Sequence, residues 1–349
     1  MWHNLFPGVP VEQVPIGHIT NGINLLGWMK GPVRRFWRRK LTQIRGENGS
    51  VTGGDTTHFW RRRTGSNWDS ELNDPEFWQK MEDPKFISDE EIWALRYRLR
   101  RELIEFTRRR LLIQEESLKE SDFIAFDHLL NVDALTIGFA RRFATYKRAP
   151  LIFQDFDNIV KLTRNRERPV QFVFAGKAHP RDEDGKRFIQ HIIHLSKFSE
   201  LKGHLVFIEN YDIHVARQMV SGCDVWLNNP RRPLEASGTS GQKGSCHGAL
   251  NLSILDGWWR EGYDGTNGFA IGDDSHPDSI EEQDRRDSEN LYRVLTEEVI
   301  PLFFERDEQG LPRKWIQRIR RAMVTLVPEF NTWRMVQDYT RKYYLTSRR

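Results

Sequence analysis

The spacing of apolar positions changes once along this chain, near residue 132. Before it, Ile92, Leu95, Leu99, Leu103 and Phe106 recur every three or four residues, which places them on one face of a helix. Ser88-Asp-Glu-Glu91 stands just ahead of them and predicts a helix start, because a serine hydroxyl and a glutamate three residues on can each take a free backbone N–H. The helical pattern covers 74–121, residues 1–30 read as loop and turn, and the basic, Gly- and Thr-rich stretch 31–66 reads as a loop. After the change, short apolar runs predict strands at 135–140, 170–175, 205–209, 225–227 and 269–271, with helices between them. Such alternation predicts an α/β fold on a doubly wound parallel sheet. Residues 314–344 read as helical and aromatic, and the chain shows neither an internal repeat nor a low-complexity tract.

Composition adds bounds to this picture. The 349 residues suit two domains at about 150 residues each. Cys223 and Cys246 form neither a CxxC pair nor a disulfide framework, so a reducing, cytoplasmic setting is expected. Met1-Trp-His-Asn-Leu-Phe-Pro-Gly8 lacks the basic start and apolar core of a signal peptide, and no apolar run approaches the roughly 18 residues of a membrane span. A formal net charge of +4 is modest, and the arginine clusters at 34–39, 61–63 and 108–110 lack interleaved stacking aromatics, which argues against nucleic acid as a partner. No metal-ligand set stands out.

Candidate chemistry concentrates in Glu235-Ala-Ser-Gly-Thr-Ser-Gly-Gln-Lys243, directly after the strand-like Cys223-Asp-Val-Trp-Leu227. Gly238 and Gly241 allow tight turns and close approach of backbone to a ligand, and Thr239 and Ser240 favour a helix start. A helix beginning near Thr239 would offer free N–H groups to an anion, with Lys243 one turn later on the same face. Read alone, the run favours a capped helix with an exposed lysine. A second stretch, Ala134-Leu-Thr-Ile-Gly-Phe-Ala140, reads as a buried strand, and Arg141-Arg-Phe-Ala-Thr-Tyr-Lys-Arg148 as a four-cation loop at its carboxyl end. That edge of an open α/β sheet is where ligands bind. Arg142 offers a fork for phosphate and Lys147 a point charge, although a cation-rich loop is commonly just a solvated face.

These two stretches, with Glu209-Asn-Tyr-Asp212 between them, closely resemble the α-glucan phosphorylases, the pyridoxal 5'-phosphate-dependent enzymes of glycogen and starch breakdown. The resemblance runs from Ile16 to near the C-terminus, and the shorter bacterial and archaeal type fits best. It implies a GT-B-type glycosyltransferase fold with only a partial N-terminal domain. Residues 1–131 would then be a remnant of that domain plus a helical linker, and 132–349 the Rossmann-like cofactor-binding C-terminal domain with a terminal crossover helix. It also implies that Lys243 carries pyridoxal phosphate as a Schiff base, that Thr239 and Ser240 lie near the cofactor phosphate, and that Tyr211 packs near its ring. Arg142 and Lys147 would hold the substrate phosphate, and Glu235, Ala236, Ser237 and Gly238 would line the glucosyl pocket.

The implied reaction is retaining phosphorolysis of a terminal α-1,4 linkage, with α-1,4-glucan, inorganic phosphate and glucose 1-phosphate as partners. The family more often has His and Thr at Asn24 and Gly27, a methionine at Gln242, and small or apolar residues where Gly244-Ser-Cys-His247 stands. Full phosphorylases are longer at the front, where much of the glucan site is built, so little activity is expected of the isolated chain, and a separate N-terminal phosphorylase chain or a homo-oligomer is open. Two other readings are a non-catalytic glucan-binding or interaction remnant and a nucleotide-sugar glycosyltransferase. Lys243 in its glycine and hydroxyl setting argues against the latter.

Overall fold

Six parallel strands form the centre of the molecule: β1 Leu135–Phe143, β2 Val170–Ala178, β3 Leu205–Ile208, β4 Val225–Asn228, β5 Leu250–Ile254 and β6 Phe269–Ile271. The computed structural model describes residues 5–48, 71–118, 129–273, 275 and 277–345. The strands lie in the order β3-β2-β1-β4-β5-β6, so the winding reverses between β1 and β4. Pairs such as Phe139 with Phe174, Ile137 with Val225 and Leu252 with Phe269 set the register. Nearly every strand residue is buried, as expected for a parallel sheet covered on both faces.

Helices connect and cover these strands: α1 Gly31–Asn48, α2 Asp89–Leu118, α3 Phe156–Arg164, α4 Glu183–Ser196, α5 Ile213–Gly222, α6 Ser240–Ser245, α7 Trp258–Gly262, α8 Ile280–Val294, α9 Arg313–Leu326 and α10 Thr332–Tyr339. The start of α2 is the expected capping box: Ser88 N–H donates to Glu91 Oε2 at 3.1 Å, and Glu91 N–H donates to Ser88 Oγ at 3.3 Å.

The structure corrects the sequence reading at four places. Residues 31–48 are helical rather than loop, because Val33, Phe36, Trp37 and Leu41 make a buried stripe between solvated arginines, with Pro32 in the first turn where its missing N–H costs nothing; the remainder of the stretch read as loop, 49–66, lies outside the described residues. Arg141, Arg142 and Phe143 continue β1, paired with Gly176, Lys177 and Ala178, so the cation-rich loop begins only after them. Strand β5 was not anticipated, because Asn251 and Ser253 interrupt its apolar pattern. Both are buried: Asn251 Nδ2 donates to Ser245 Oγ at 3.1 Å, and Ser253 Oγ accepts from Asn228 Nδ2 at 3.0 Å. The aromatic C-terminal stretch also divides, since α9 ends at Leu326 and Asn331 caps α10 by accepting the Arg334 N–H at 2.9 Å.

The first third of the chain packs into the same core as the sheet. Trp37, Phe77 and Trp78 meet edge to face, and they join one apolar cluster with Leu135, Leu250 and Trp315. Two buried arginines of α2 fasten it to the segment before β4. Arg96 donates to the carbonyls of Ser221 and Cys223 at 2.7 and 2.6 Å, and Arg100 pairs with buried Asp224 at 2.7 Å. Such desolvated cations are tolerated only when carbonyls and a carboxylate satisfy them.

Candidate active site

The crevice over the carboxyl ends of β1 and β4 gathers charge. Arg141, near the end of β1, hydrogen-bonds Asn228 at the end of β4 and donates to Glu235 Oε2 at 2.6 Å. Lys147 Nζ donates to the same oxygen at 2.9 Å and lies 4.6 Å from the Tyr146 ring centroid. Burial alone would push the Glu235 carboxyl upward, but Arg141 and Lys147 outweigh it and hold the group below its usual value. Burial also acts on Arg141, pulling its guanidinium down against the opposing effect of Glu235.

The turn after β5 holds Glu235 in place from behind. Asp256 Oδ2 accepts the Glu235 N–H and Oδ1 accepts the Gly257 N–H, both at 2.9 Å. Burial is the chief reason the Asp256 carboxyl sits above its usual value, despite those two N–H groups. Trp258 N–H donates to the Ser237 carbonyl at 2.8 Å. Gly257 has φ 55°, and a Cβ there would stand 2.3 Å from that carbonyl oxygen, so only glycine permits this approach. Gly238 turns the loop at φ 78°; Ala236 is exposed, and the Ser237 hydroxyl is shielded without a hydrogen-bond partner among the described residues.

The helix expected near Thr239 is α6, with Thr239 at its N-cap position, although the threonine hydroxyl makes no capping bond. Gly241 serves packing instead of ligand approach, since a Cβ there would lie 2.1 Å from Asn251 Oδ1 on β5 and 2.8 Å from the Trp258 ring. Lys243 points to a single turn of helix, Leu25–Trp28, its Nζ 4.0 Å from the Trp28 ring centroid. Burial lowers its pKa, and no carboxylate pairs with it among the described residues. The turn itself is capped by Asn24, whose Oδ1 accepts the Gly27 N–H at 2.7 Å, so Asn24 has a local structural task. Gln242 Nε2 donates to the Asn21 carbonyl at 2.9 Å, tying α6 to the same segment. His247 is fully buried and hydrogen-bonded.

The sequence-selected residues divide by what they reach. Glu235 and Lys147 touch; Tyr211 is half-buried, its phenol raised by burial and opposed by nearby Arg141. Arg142 is exposed on β1 in register with exposed Lys177 and joins no ion pair among the described residues. Successive strand residues face opposite sides, so Arg141 meets Glu235 and Asn228 while Arg142 stands exposed at the strand end, outside that ion pair. Arg148 is structural: it pairs with Asp284 and Asp287, both at 2.8 Å. Arg141, Asp256, Asn228 and Trp28 were not selected as site residues, although Arg141 stood in the four-cation stretch and Trp28 beside Asn24 and Gly27 in the segment compared with the family.

A half-buried amine over an indole with no carboxylate partner among the described residues, a shielded serine hydroxyl and two cations on one carboxylate suit a phosphorylated aldehyde and an anionic co-substrate. The chain matches the carbohydrate phosphorylase family over residues 94–299. It is similar to a maltodextrin phosphorylase of Thermococcus litoralis, with 40% identity over 344 residues, 99% of this chain and 37% of that protein. A glycogen phosphorylase of Aquifex aeolicus is 42% identical over 350 residues, 99% of this chain and 45% of its own length. One of Mycobacterium tuberculosis is 36% identical over 349 residues, again 99% of this chain and 37% of that protein. The chain thus spans less than half the length of these relatives.

Proposed function

Because this chain belongs to the carbohydrate phosphorylase family, we propose that it forms the cofactor- and phosphate-binding side of an α-1,4-glucan phosphorylase. The observation that carries the reading is the crevice itself, where Arg141 and Lys147 converge on Glu235 and the Lys243 amine lacks an acidic partner among the described residues.

In this reading Lys243 holds pyridoxal 5'-phosphate, Thr239 and Ser240 lie by its phosphate, and Tyr211 lies by its ring. When bound, the cofactor supplies a phosphate group that acts as proton relay or electrostatic partner to the substrate phosphate. The chain's own residues make that proximity tolerable, since two phosphates repel strongly unless cations stand between them. Arg142 and Lys147 hold the substrate phosphate, and an arriving dianion competes with Glu235 for Lys147. Glu235 directs Oε2 to both cations, which leaves Oε1 to accept from a sugar hydroxyl, while Ala236, Ser237 and Gly238 shape the glucosyl wall. Positive charge developing at the anomeric carbon is stabilised by the phosphate held on the same face, giving glucose 1-phosphate with retention.

Residues 132–349 supply the sheet and the anchoring lysine, and 1–131 supply Trp28 and the helix that fastens them. Turnover is proposed for this chain together with the further length its relatives carry. Residues 1–349 alone are expected to release little glucose 1-phosphate, because one wall of a cleft neither excludes water nor positions both substrates. The two free buried thiols accord with a reducing, cytoplasmic setting.

Borohydride reduction after incubation with pyridoxal phosphate, followed by peptide mapping, tests the anchor: a pyridoxyl group on Lys243 is expected, and its absence overturns the reading. Glucose 1-phosphate release from maltodextrin and phosphate, with and without a matching N-terminal portion, tests the activity. Transfer from a nucleotide sugar without phosphate would point to a different enzyme.

A further inference from the structure

Lys243 is held from two directions, by Trp28, remote in sequence, and by His247, one helical turn on. Its Nζ lies over the Trp28 ring, and its backbone carbonyl accepts from His247 Nδ1 at 2.7 Å. The other ring nitrogen, Nε2, accepts the Lys30 N–H at 3.1 Å. Side chain and backbone of Lys243 are therefore both referred to one short segment, Trp28–Lys30. That segment is fixed in turn, since Lys30 Nζ pairs with Glu102 of α2 at 2.8 Å. The His247 carbonyl accepts from Arg96 of the same helix at 2.9 Å, so the bridge is braced at both ends.

The bridge has a defined chemical form. Because Nε2 accepts, the proton must sit on Nδ1 and the ring must be neutral. Burial, with Arg96 and Lys30 nearby, pushes the imidazole down to about 3, so it remains neutral across ordinary pH. An apolar side chain could fill this volume but would leave the part-buried Lys30 N–H and one acceptor site of the Lys243 carbonyl without partners. Helix α6 has six residues, too few to hold a lysine in place without tertiary contacts.

We propose that His247 is a positioning residue that joins Lys243 to Lys30, keeps Trp28 over the lysine side chain, and so sets the direction in which the Lys243 amine meets an aldehyde. This rests on Lys243 being the cofactor anchor.

The test is the rate of pyridoxyl labelling of Lys243 in the 349-residue chain, with exposed Lys177 as internal reference. In His247→Asn the amide reaches only the Lys243 carbonyl, and in His247→Gln only the Lys30 N–H. Each variant is expected to lower the Lys243-to-Lys177 rate ratio about tenfold, the effect of one lost buried hydrogen bond on orientation, with Lys177 itself unchanged. An unchanged ratio in variants that melt like the parent overturns the proposal. If neither variant folds, nitrogen NMR of the parent decides: a neutral Nδ1–H ring supports the bridge, and an Nε2–H or charged ring overturns it. A parent chain that takes no label on Lys243 defeats the anchor reading and this proposal with it, whereas a labelled parent with indifferent variants defeats only the role of His247.

Discussion

Lys243 Nζ stands 4.0 Å from the ring centroid of Trp28, and that indole face takes the place of a carboxylate as its neighbour. A half-buried ammonium held in this way keeps part of its charge stabilisation through the ring quadrupole while losing part of its hydration, and the lost hydration is why its pKa falls.

The first expectation follows from the sign of that shift. A lysine whose folded pKa is lowered disfavours its charged form in the folded state. The penalty is complete below the folded pKa and disappears above the unfolded value of about 10.4. Lys243→Met should therefore melt higher than the parent near neutral pH, by no more than about 1 kcal/mol once the lost ring contact is counted, with the gap closing toward pH 10. Thermal melts from pH 7 to 10 check it, and a gap that widens with pH would refute the assignment.

Glu235 behaves in the opposite sense. Its folded pKa is depressed, so its contribution is complete above the unfolded value of about 4.3 and is lost as pH falls through the folded value. Glu235→Gln leaves Arg141 and Lys147 without their carboxylate and should cost about 3 kcal/mol at pH 7 by urea denaturation. The difference should shrink below pH 4.

Gly241→Ala sets a methyl group against Asn251 Oδ1 and the Trp258 ring, both buried. A cost of about 1 to 3 kcal/mol is expected from overpacking. Because the same shift displaces α6, pyridoxyl labelling of Lys243 should slow in parallel, and a variant with full stability and full labelling would contradict the packing described.

Arg142 and Lys147 should separate stability from phosphate binding. Arg142→Ala is expected to change stability by less than about 0.5 kcal/mol, since the side chain is exposed and joins no ion pair among the described residues, while weakening phosphate binding about tenfold. Lys147→Ala should impair both, because it also removes a partner of Glu235. Calorimetric phosphate titration alongside urea melts measures the two effects, and loss of stability in Arg142→Ala would place that side chain in the ion-pair cluster.

Local chemistry was legible wherever neighbours in sequence are neighbours in space. The capping box at Ser88 and Glu91, the strands beginning at Leu135 and Val170, and the helix start at Thr239 all depend on residues within one turn or one strand. Helix α1 was misread because its glycine, proline and arginine content masked a regular apolar stripe, and β5 because its polar residues face interior partners instead of water.

From the chain alone came the parallel α/β layering, the lysine-bearing run and the cation-rich stretch, because repeating apolar positions and short motifs act over a few residues. Tertiary structure alone decided which cation meets Glu235, that Asp256 holds it, and that Trp28 and His247 brace Lys243. Those outcomes depend on strand parity and on the order of strands in the sheet. A shift of one residue along β1 would exchange Arg141 for Arg142 without altering a local pattern.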